Sequence, residues 1–209
     1  MIDKIKKANH IVFLTGYEIS AYSNFPDIRK STYMIHDFYI QKPEEFFTYL
    51  RTEVVNRYYV PNIIHQFIAK LQIEKDVTVI TENVDGLHKK AGSMNCIELY
   101  GSIEENICQS CFKEYSANTI LYSKNRPTCS CKGFIKPSIT LSGEPVNGEK
   151  VMEAVNALLV ADLLIIVGSN LSIHPTPYLL QFYHGNNIIT LNNSTHNLED
   201  LFKDLYEKI

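Results

Sequence analysis

Four short stretches of the chain are apolar almost without a break: His10–Leu14 (HIVFL), Val77–Thr81 (VTVIT), Leu163–Ser169 (LLIIVGS) and Asn187–Leu191 (NIITL). Each is too short for a core helix, rich in β-branched residues and bounded by polar or turn-forming residues, so each is predicted as a strand. Continuous rather than alternating apolar character means that both faces are covered, which is the habit of a parallel sheet. Helical periods lie between the strands. Pro61 opens one, with Ile63, Ile64, Phe67, Ile68 and Leu71 on one face. Another follows Gly148, with Val151, Met152, Val155, Leu158 and Leu159. A third follows Pro175 and Pro177, and the last runs from Asn197 with Leu198, Leu201, Phe202 and Leu205. Asp3 is placed to cap a short first helix. Strands alternating with helices predict an α/β domain built on a doubly wound parallel sheet.

Residues 104–135 interrupt that alternation. They are polar and hold Cys108-x2-Cys111, seventeen further residues, then Cys129-x-Cys131. Either pair alone could be a redox dithiol or chance. Two close pairs at this separation predict one tetrahedral, structural zinc with no open position for water. Cys96 lies outside the spacing and reads as a core residue. The domain therefore divides into residues 1–103 and 136–209, with a zinc-binding module inserted at 104–135.

A net charge of -3 over 209 residues, with no basic run longer than Lys6-Lys7 or Lys89-Lys90, gives no basis for nucleic-acid binding. No apolar run approaches the length of a membrane span. The stretch Ile11–Leu14 is too short for a secretion signal, so a cytoplasmic protein with reduced cysteines is expected.

In an open α/β sheet, ligands bind beyond the carboxyl ends of the strands. Three polar loops stand there: Thr15–Arg29 (TGYEISAYSNFPDIR), Thr81–His88 (TENVDGLH) and Gly168–Pro175 (GSNLSIHP). Three such loops in one chain argue for a single polar cleft. No G-x-G-x-x-G is present, and Gly16 is followed by the bulky Tyr17 and the charged Glu18. Spacing alone makes only a weak case for a dinucleotide.

Taken together, these segments resemble the sirtuins, the NAD-dependent protein deacylases. The family's G-A-G-I-S and P-D-F-R stand here as GYEIS and PDIR, its T-Q-N-x-D-G-L-H as TENVDGLH, and its E-L-H-G as ELYG (Glu98–Gly101). The cysteine module falls where the family places a zinc ribbon. The family's R-P-x-x-x-x-F-G-E stands here as KPSITLSGE (Lys136–Glu144), and the VGSNLSIHP segment and the strand ending at Asn192 match its adenosine-side motifs. Order and spacing fit across about residues 8–195, while the stretch after Asn192 is shorter than the family's. The resemblance implies a Rossmann-like NAD-binding domain, with NAD and one structural zinc as cofactors and an acyl-lysine protein or peptide as partner. It places Gly16, Ser20, Asp27 and Arg29 around the nicotinamide side and phosphates, and Asn83 and Asp85 in the nicotinamide pocket. Gly168, Ser169 and Asn192 would hold the adenosine half. Leu141, Ser142, Gly143 and Glu144 would pair with the peptide as an added strand. Cys108, Cys111, Cys129 and Cys131 would bind the zinc.

Departures from the family gather on the chemistry. Tyr100 stands where the family has the histidine that acts as general base. Histidine titrates near 6.5 and tyrosine near 10, so roughly one tyrosine in a thousand is ionised at neutral pH. A poor base but a fair donor, it predicts a loss of about 10²–10⁴-fold in that step. Tyr17 and Glu18 replace a small Ala-Gly and are expected to crowd the cofactor. Ile28 and Ser142 each replace a phenylalanine. Glu82 replaces a glutamine beside the nicotinamide ribose, and its carboxylate could stabilise an oxocarbenium-like transition state; the blander reading makes it an exposed turn residue. Three functions follow: a weak or altered deacylase, an ADP-ribosyl transferase or NAD glycohydrolase using Glu82, Asn83 and Asp85, and a catalytically inactive NAD or ADP-ribose binder.

Overall fold

The computed structural model describes residues 1–55 and 58–209. A five-stranded sheet forms from β1 (His10–Thr15), β2 (Asp76–Thr81), β3 (Cys96–Glu98), β7 (Leu163–Val167) and β8 (Ile188–Leu191). Its order is β3-β2-β1-β7-β8, and every pairing is parallel. The expected apolar runs supply four of the five strands. β7 is buried at every position, and β1 at all but its first, because helices cover both faces. On one face the helices Ile63–Glu74 and Leu198–Tyr206 enclose Phe13, Phe67 and Phe202, with Phe67 edge-on to both rings. On the other, the helix Gly148–Val160 covers Leu14, Ile80, Leu164 and Ile166.

Side-chain caps set where these helices begin. Asn62 opens Ile63–Glu74 with a reciprocal capping box in which His65 Nδ1 accepts from the Asn62 N–H. Asn147 and Asn197 cap Gly148–Val160 and Leu198–Tyr206. The expected cap at Asp3 is not used: Met1 holds the N-cap of Ile2–Lys7, and Asp3 lies in its first turn, where its charge complements the helix dipole. The period after Pro175 and Pro177 closes only one turn, Thr176–Leu179, before tightening into Leu180–Phe182.

A second, antiparallel sheet takes the order β5-β4-β6, from β4 (Gly101–Cys108), β5 (Glu114–Ser116) and β6 (Ile135–Ile139). It carries the four cysteines and extends to Gly101 and Ile139. Position 104 thus falls within the central strand β4, and position 135 begins the edge strand β6. Gly101 starts it with φ +77°, and a Cβ there would lie 1.6 Å from the Ser138 carbonyl oxygen, so the joint between the two sheets requires glycine. Beside it, His36–Gln41, Pro43–Tyr49 and the π-helical Leu50–Val55 build a helical module around Phe46, Phe47, Leu50 and Val54.

Candidate active site

Beyond β1 and β7 the backbone closes tightly. A Cβ on Gly16 would sit 2.6 Å from both the Gly168 carbonyl oxygen and Ser169 Cα, so these two loops touch through glycine. Asn83 Nδ2 donates to the Gly16 carbonyl at 3.0 Å, and the Asn83 N–H donates to Thr81 Oγ1 at 3.1 Å. Asp85, buried, accepts from the Leu87 N–H at 2.9 Å and from the Ser20 hydroxyl. Burial pushes the Asp85 carboxyl up from its ordinary value. His88, also buried, meets Thr15 Oγ1 at 3.0 Å through Nε2, and burial holds its pKa down to about 3. It is a neutral structural hydrogen-bonder.

Next to this floor opens a cleft of about 820 Å³ between the parallel sheet and the module of helices and ribbon. Its apolar wall includes Ile28, Met34 and Leu141; its polar wall includes Arg29, Glu82 and Tyr100. Glu82 is no exposed turn: it is 2% accessible. Ser169 donates to its Oε2 at 2.9 Å, while Oε1 is buried with no partner. Burial raises the Glu82 carboxyl pKa, against the opposing influence of Ser169, of the buried Thr176 hydroxyl and of the Arg29 charge. The Tyr100 hydroxyl donates to the His174 carbonyl at 2.9 Å, and burial pushes its pKa up to about 12. Tyr100 is therefore a protonated phenol throughout the physiological range. Arg29 Nε lies 3.1 Å from Asp27, and its guanidinium stacks over the Tyr17 ring, 5.1 Å from the centroid.

Gly16, Ser20, Asp27, Arg29, Asn83 and Asp85 thus surround one corner of the sheet, where Gly168 and Ser169 meet Gly16. Asn192 lies farther out, at the end of β8, with its Oδ1 taken up by the Ser194 and Thr195 hydroxyls. Glu18 points away from that corner, and its Oε2 accepts from the Asn193 N–H at 2.8 Å. Leu141–Glu144, expected as a strand, instead turns back on itself: the Glu144 N–H donates to Leu141 O at 2.9 Å. The backbone of Ser142 is engaged on both sides, donating to Met34 O and accepting from the His36 N–H, each at 2.9 Å. Glu144 fixes this turn through Lys136 at 3.0 Å and His36 Nδ1 at 2.9 Å. Sequence reading did not find the roles of Ser169 toward Glu82, of the His174 carbonyl, or of Met34 in the wall. No local pattern marks a contact between loops so far apart in the chain.

The four module cysteines converge, with their sulfurs all within 4.8 Å of one another. Cys108 and Cys131 are 3.5 Å apart, and Cys111 and Cys129 3.6 Å. Four thiolates about 2.3 Å from a central zinc stand roughly 3.8 Å apart, so the donor set and spacing suit one structural zinc. The Tyr115 hydroxyl donates to Cys129 Sγ at 3.0 Å, and the N–H groups of Ser110, Cys131 and Gly133 point at cysteine sulfurs. These bonds orient the ligands from outside the cluster. Cys96 is half-buried against the sheet core, apart from this cluster. Among the described residues, no helix is long and apolar enough to cross a membrane.

Residues 20–175 match the model of the Sir2 family. The chain belongs to the Sir2 family. It is 35% identical over 209 residues to an NAD-dependent protein deacetylase of Clostridium tetani, covering 91% of this chain and 85% of that one. It is 37% identical over 187 residues to an NAD-dependent protein deacetylase of Listeria monocytogenes, covering 83% and 80%. Solved Sir2 structures share the fold. One bound to acetylated peptide superposes with a TM-score of 0.88 at 28% identity, covering 99% of this chain and 96% of that one. A histidine-to-tyrosine mutant of Sir2 with p53 peptide and NAD gives 0.86 at 30% identity, with the same coverage. The doubly wound sheet and the cysteine module are thus those of a Sir2 protein.

Proposed function

We propose that the protein is an NAD-dependent protein-lysine deacylase in which Glu82, and not Tyr100, is the ionisable group facing the reacting sugar. The observation that carries this reading is the Glu82 carboxylate itself, buried in the cleft wall with one oxygen bonded to Ser169 and the other without a partner. A carboxylate in the cleft wall with spare acceptor capacity can take a ligand hydroxyl or stabilise developing positive charge. The touching glycine loops and the buried Asn83 and Asp85 provide a corner that fits the nicotinamide end of NAD. When bound, NAD supplies a leaving nicotinamide and an ADP-ribose acceptor for the acyl group. The apolar wall of Ile28, Met34 and Leu141 suits the acyl-lysine side chain. The relatives named as deacetylases support this assignment, as does the tyrosine-bearing Sir2 mutant solved with both NAD and a p53 peptide.

Within this arrangement Tyr100 orients and donates but does not take a proton. Glu82, with its raised pKa, stabilises charge on the sugar as the glycosidic bond lengthens and can accept a proton from a ribose hydroxyl. The activity is weak, because Tyr100, at the position of the family's base, stays protonated at neutral pH. Nicotinamide release from NAD, followed by mass spectrometry with and without an acetyl-lysine peptide, tests the reading. Release is expected to depend on the peptide and to fall about 10²–10³-fold in Glu82→Gln. Tyr100→His should raise deacylated product by about 10²-fold or more. Unchanged release in Glu82→Gln would overturn the role of Glu82. A second reading, ADP-ribosyl transfer or NAD hydrolysis, is favoured by the commitment of the Tyr100 hydroxyl to His174. It predicts release without peptide, whereas cofactor binding with no release marks a binding protein only.

A further inference from the structure

The first loop and the loop after β8 are joined across the end of the sheet by side chains that the proposed chemistry does not use. Glu18 lies in the first turn of the short helix Tyr17–Ala21. Its N–H donates to the Gly168 carbonyl at 3.2 Å, which fixes the residue over the end of β7. Gly168, at φ +65°, leaves room for it, since a Cβ there would lie 2.9 Å from Glu18 Cβ. From this position the carboxylate passes the β7 loop to reach the Asn193 N–H at 2.8 Å, while the Tyr22 hydroxyl donates to Asn193 Oδ1 at 2.6 Å. The segment it meets, residues 185–198, contains no Asp, Glu, Lys or Arg. Glu18 thus brings a full negative charge to a loop that has none of its own.

The place of this charge is set by topology. With the order β3-β2-β1-β7-β8, the chain changes direction between β1 and β7, and the crevice of a doubly wound sheet opens over that point. A dinucleotide whose nicotinamide end meets Asn83 and Asp85 on the β2 side extends its other half over β7 and β8. Glu18 and Asn193 stand there, at the ends of β7 and β8. A carboxylate accepts two hydrogen bonds from the vicinal hydroxyls of a ribose, and it repels a phosphate esterified to either of them.

We infer that Glu18 is a specificity-determining residue for the dinucleotide: its carboxylate accepts the free hydroxyls of the ribose beyond β7 and excludes a cofactor phosphorylated on that ribose. Opening the Glu18–Asn193 contact exchanges one hydrogen bond for those to the ribose and frees the Asn193 N–H to face the ligand. The assignment rests on the NAD reading above, and it concerns a residue that lies away from Glu82 and Tyr100.

Calorimetric titration of the full chain with NAD and with NADP tests it without reference to turnover. Glu18→Gln keeps an acceptor for the Asn193 N–H and removes only the charge; Glu18→Ala removes both, and thermal melting checks that each variant folds. The wild type should bind NAD about a hundredfold more tightly than NADP, the order expected when like charges are brought together. Glu18→Gln should narrow that ratio about tenfold or more through tighter NADP binding. Glu18→Ala should narrow it and also weaken NAD. A wild-type ratio near one, or a ratio that Glu18→Gln leaves unchanged while NAD still binds, overturns the inference and leaves the NAD reading intact. NAD binding gained only in the variants overturns it too, because Glu18 would then block the cofactor outright. Absence of NAD binding in all three proteins removes the NAD reading itself.

Discussion

The parallel sheet and the cysteine ribbon are held together by different physics. The sheet encloses two apolar cores, one around Phe13, Phe67 and Phe202 and one around Leu14, Leu158 and Leu164. The ribbon's own buried cluster is Cys108, Cys129 and Ile135, with Tyr115 packed at its side. Ile103, Ile120 and Ile139 anchor the ribbon's base in the helical module's core, but around the cysteines so small a cluster cannot offset the conformational entropy of ordering that end, which depends on metal coordination. The active-site cleft lies between two bodies of unequal means: the sheet is stabilised by apolar burial throughout, and the facing module by an apolar core at its base and the cysteine tetrad at its tip.

The sharpest way to break that comparison is to withdraw the metal. Chelation, or Cys111→Ser, is expected to unfold the ribbon, with a local loss on the order of 10 kcal/mol. Hydrogen exchange should show β4, β5 and β6 losing protection while β1 and β7 keep theirs, with one zinc per chain released. A ribbon that stays protected without zinc would mean that its packing suffices. The reverse experiment is Phe13→Ala, which opens a cavity beneath the sheet at a fully buried ring. A loss of about 3–5 kcal/mol in urea unfolding is expected, with zinc content unchanged. Zinc lost along with the sheet's stability would show that the two regions do not stand independently.

Acid sharpens the comparison from the sheet side. Burial depresses His88 to about 3, and His65, packed edge-on to it at 4.6 Å, is also lowered well below its ordinary value. Below pH 6.5 the unfolded chain therefore binds protons that the folded chain refuses, so stability falls as pH falls and is fully present above that value. His88 alone should account for about 2 kcal/mol between pH 6.5 and 5. The variant His88→Gln should flatten the slope in that window; an unaltered slope would place the sensitivity elsewhere.

Legibility in the sequence followed how local each signal is. β1, β2, β7 and β8 were readable because strands buried on both faces are apolar at nearly every position. The cysteine spacing was readable because a tetrahedral site constrains chain separation directly. The strand β3 was missed, since only three residues pair and just two of them are buried. The helical module at 36–55 was also missed: its aromatics Phe38, Tyr39, Phe46, Phe47 and Tyr49 come in bunches, and Pro43 divides them, so no long period forms. Leu141–Glu144 read as an edge strand, yet the half-buried Glu144 pulls it into a turn against Ile35 and His36.

By itself the sequence determined the class of sheet, the places of its four main strands along the chain, the cysteine tetrad and the set of loops that meet at the carboxyl ends. The tertiary structure alone decided what state those loop residues are in. Glu82 is buried and half-satisfied because Ser169, 87 positions away, reaches one of its oxygens. Tyr100 is kept a phenol by burial and oriented by the carbonyl of His174, and Glu18 is turned from the corner by Asn193, 175 positions away. Periodicity and spacing are written into neighbouring residues, whereas desolvation and hydrogen-bond partners are contributed by chain segments that meet only when the sheet has closed.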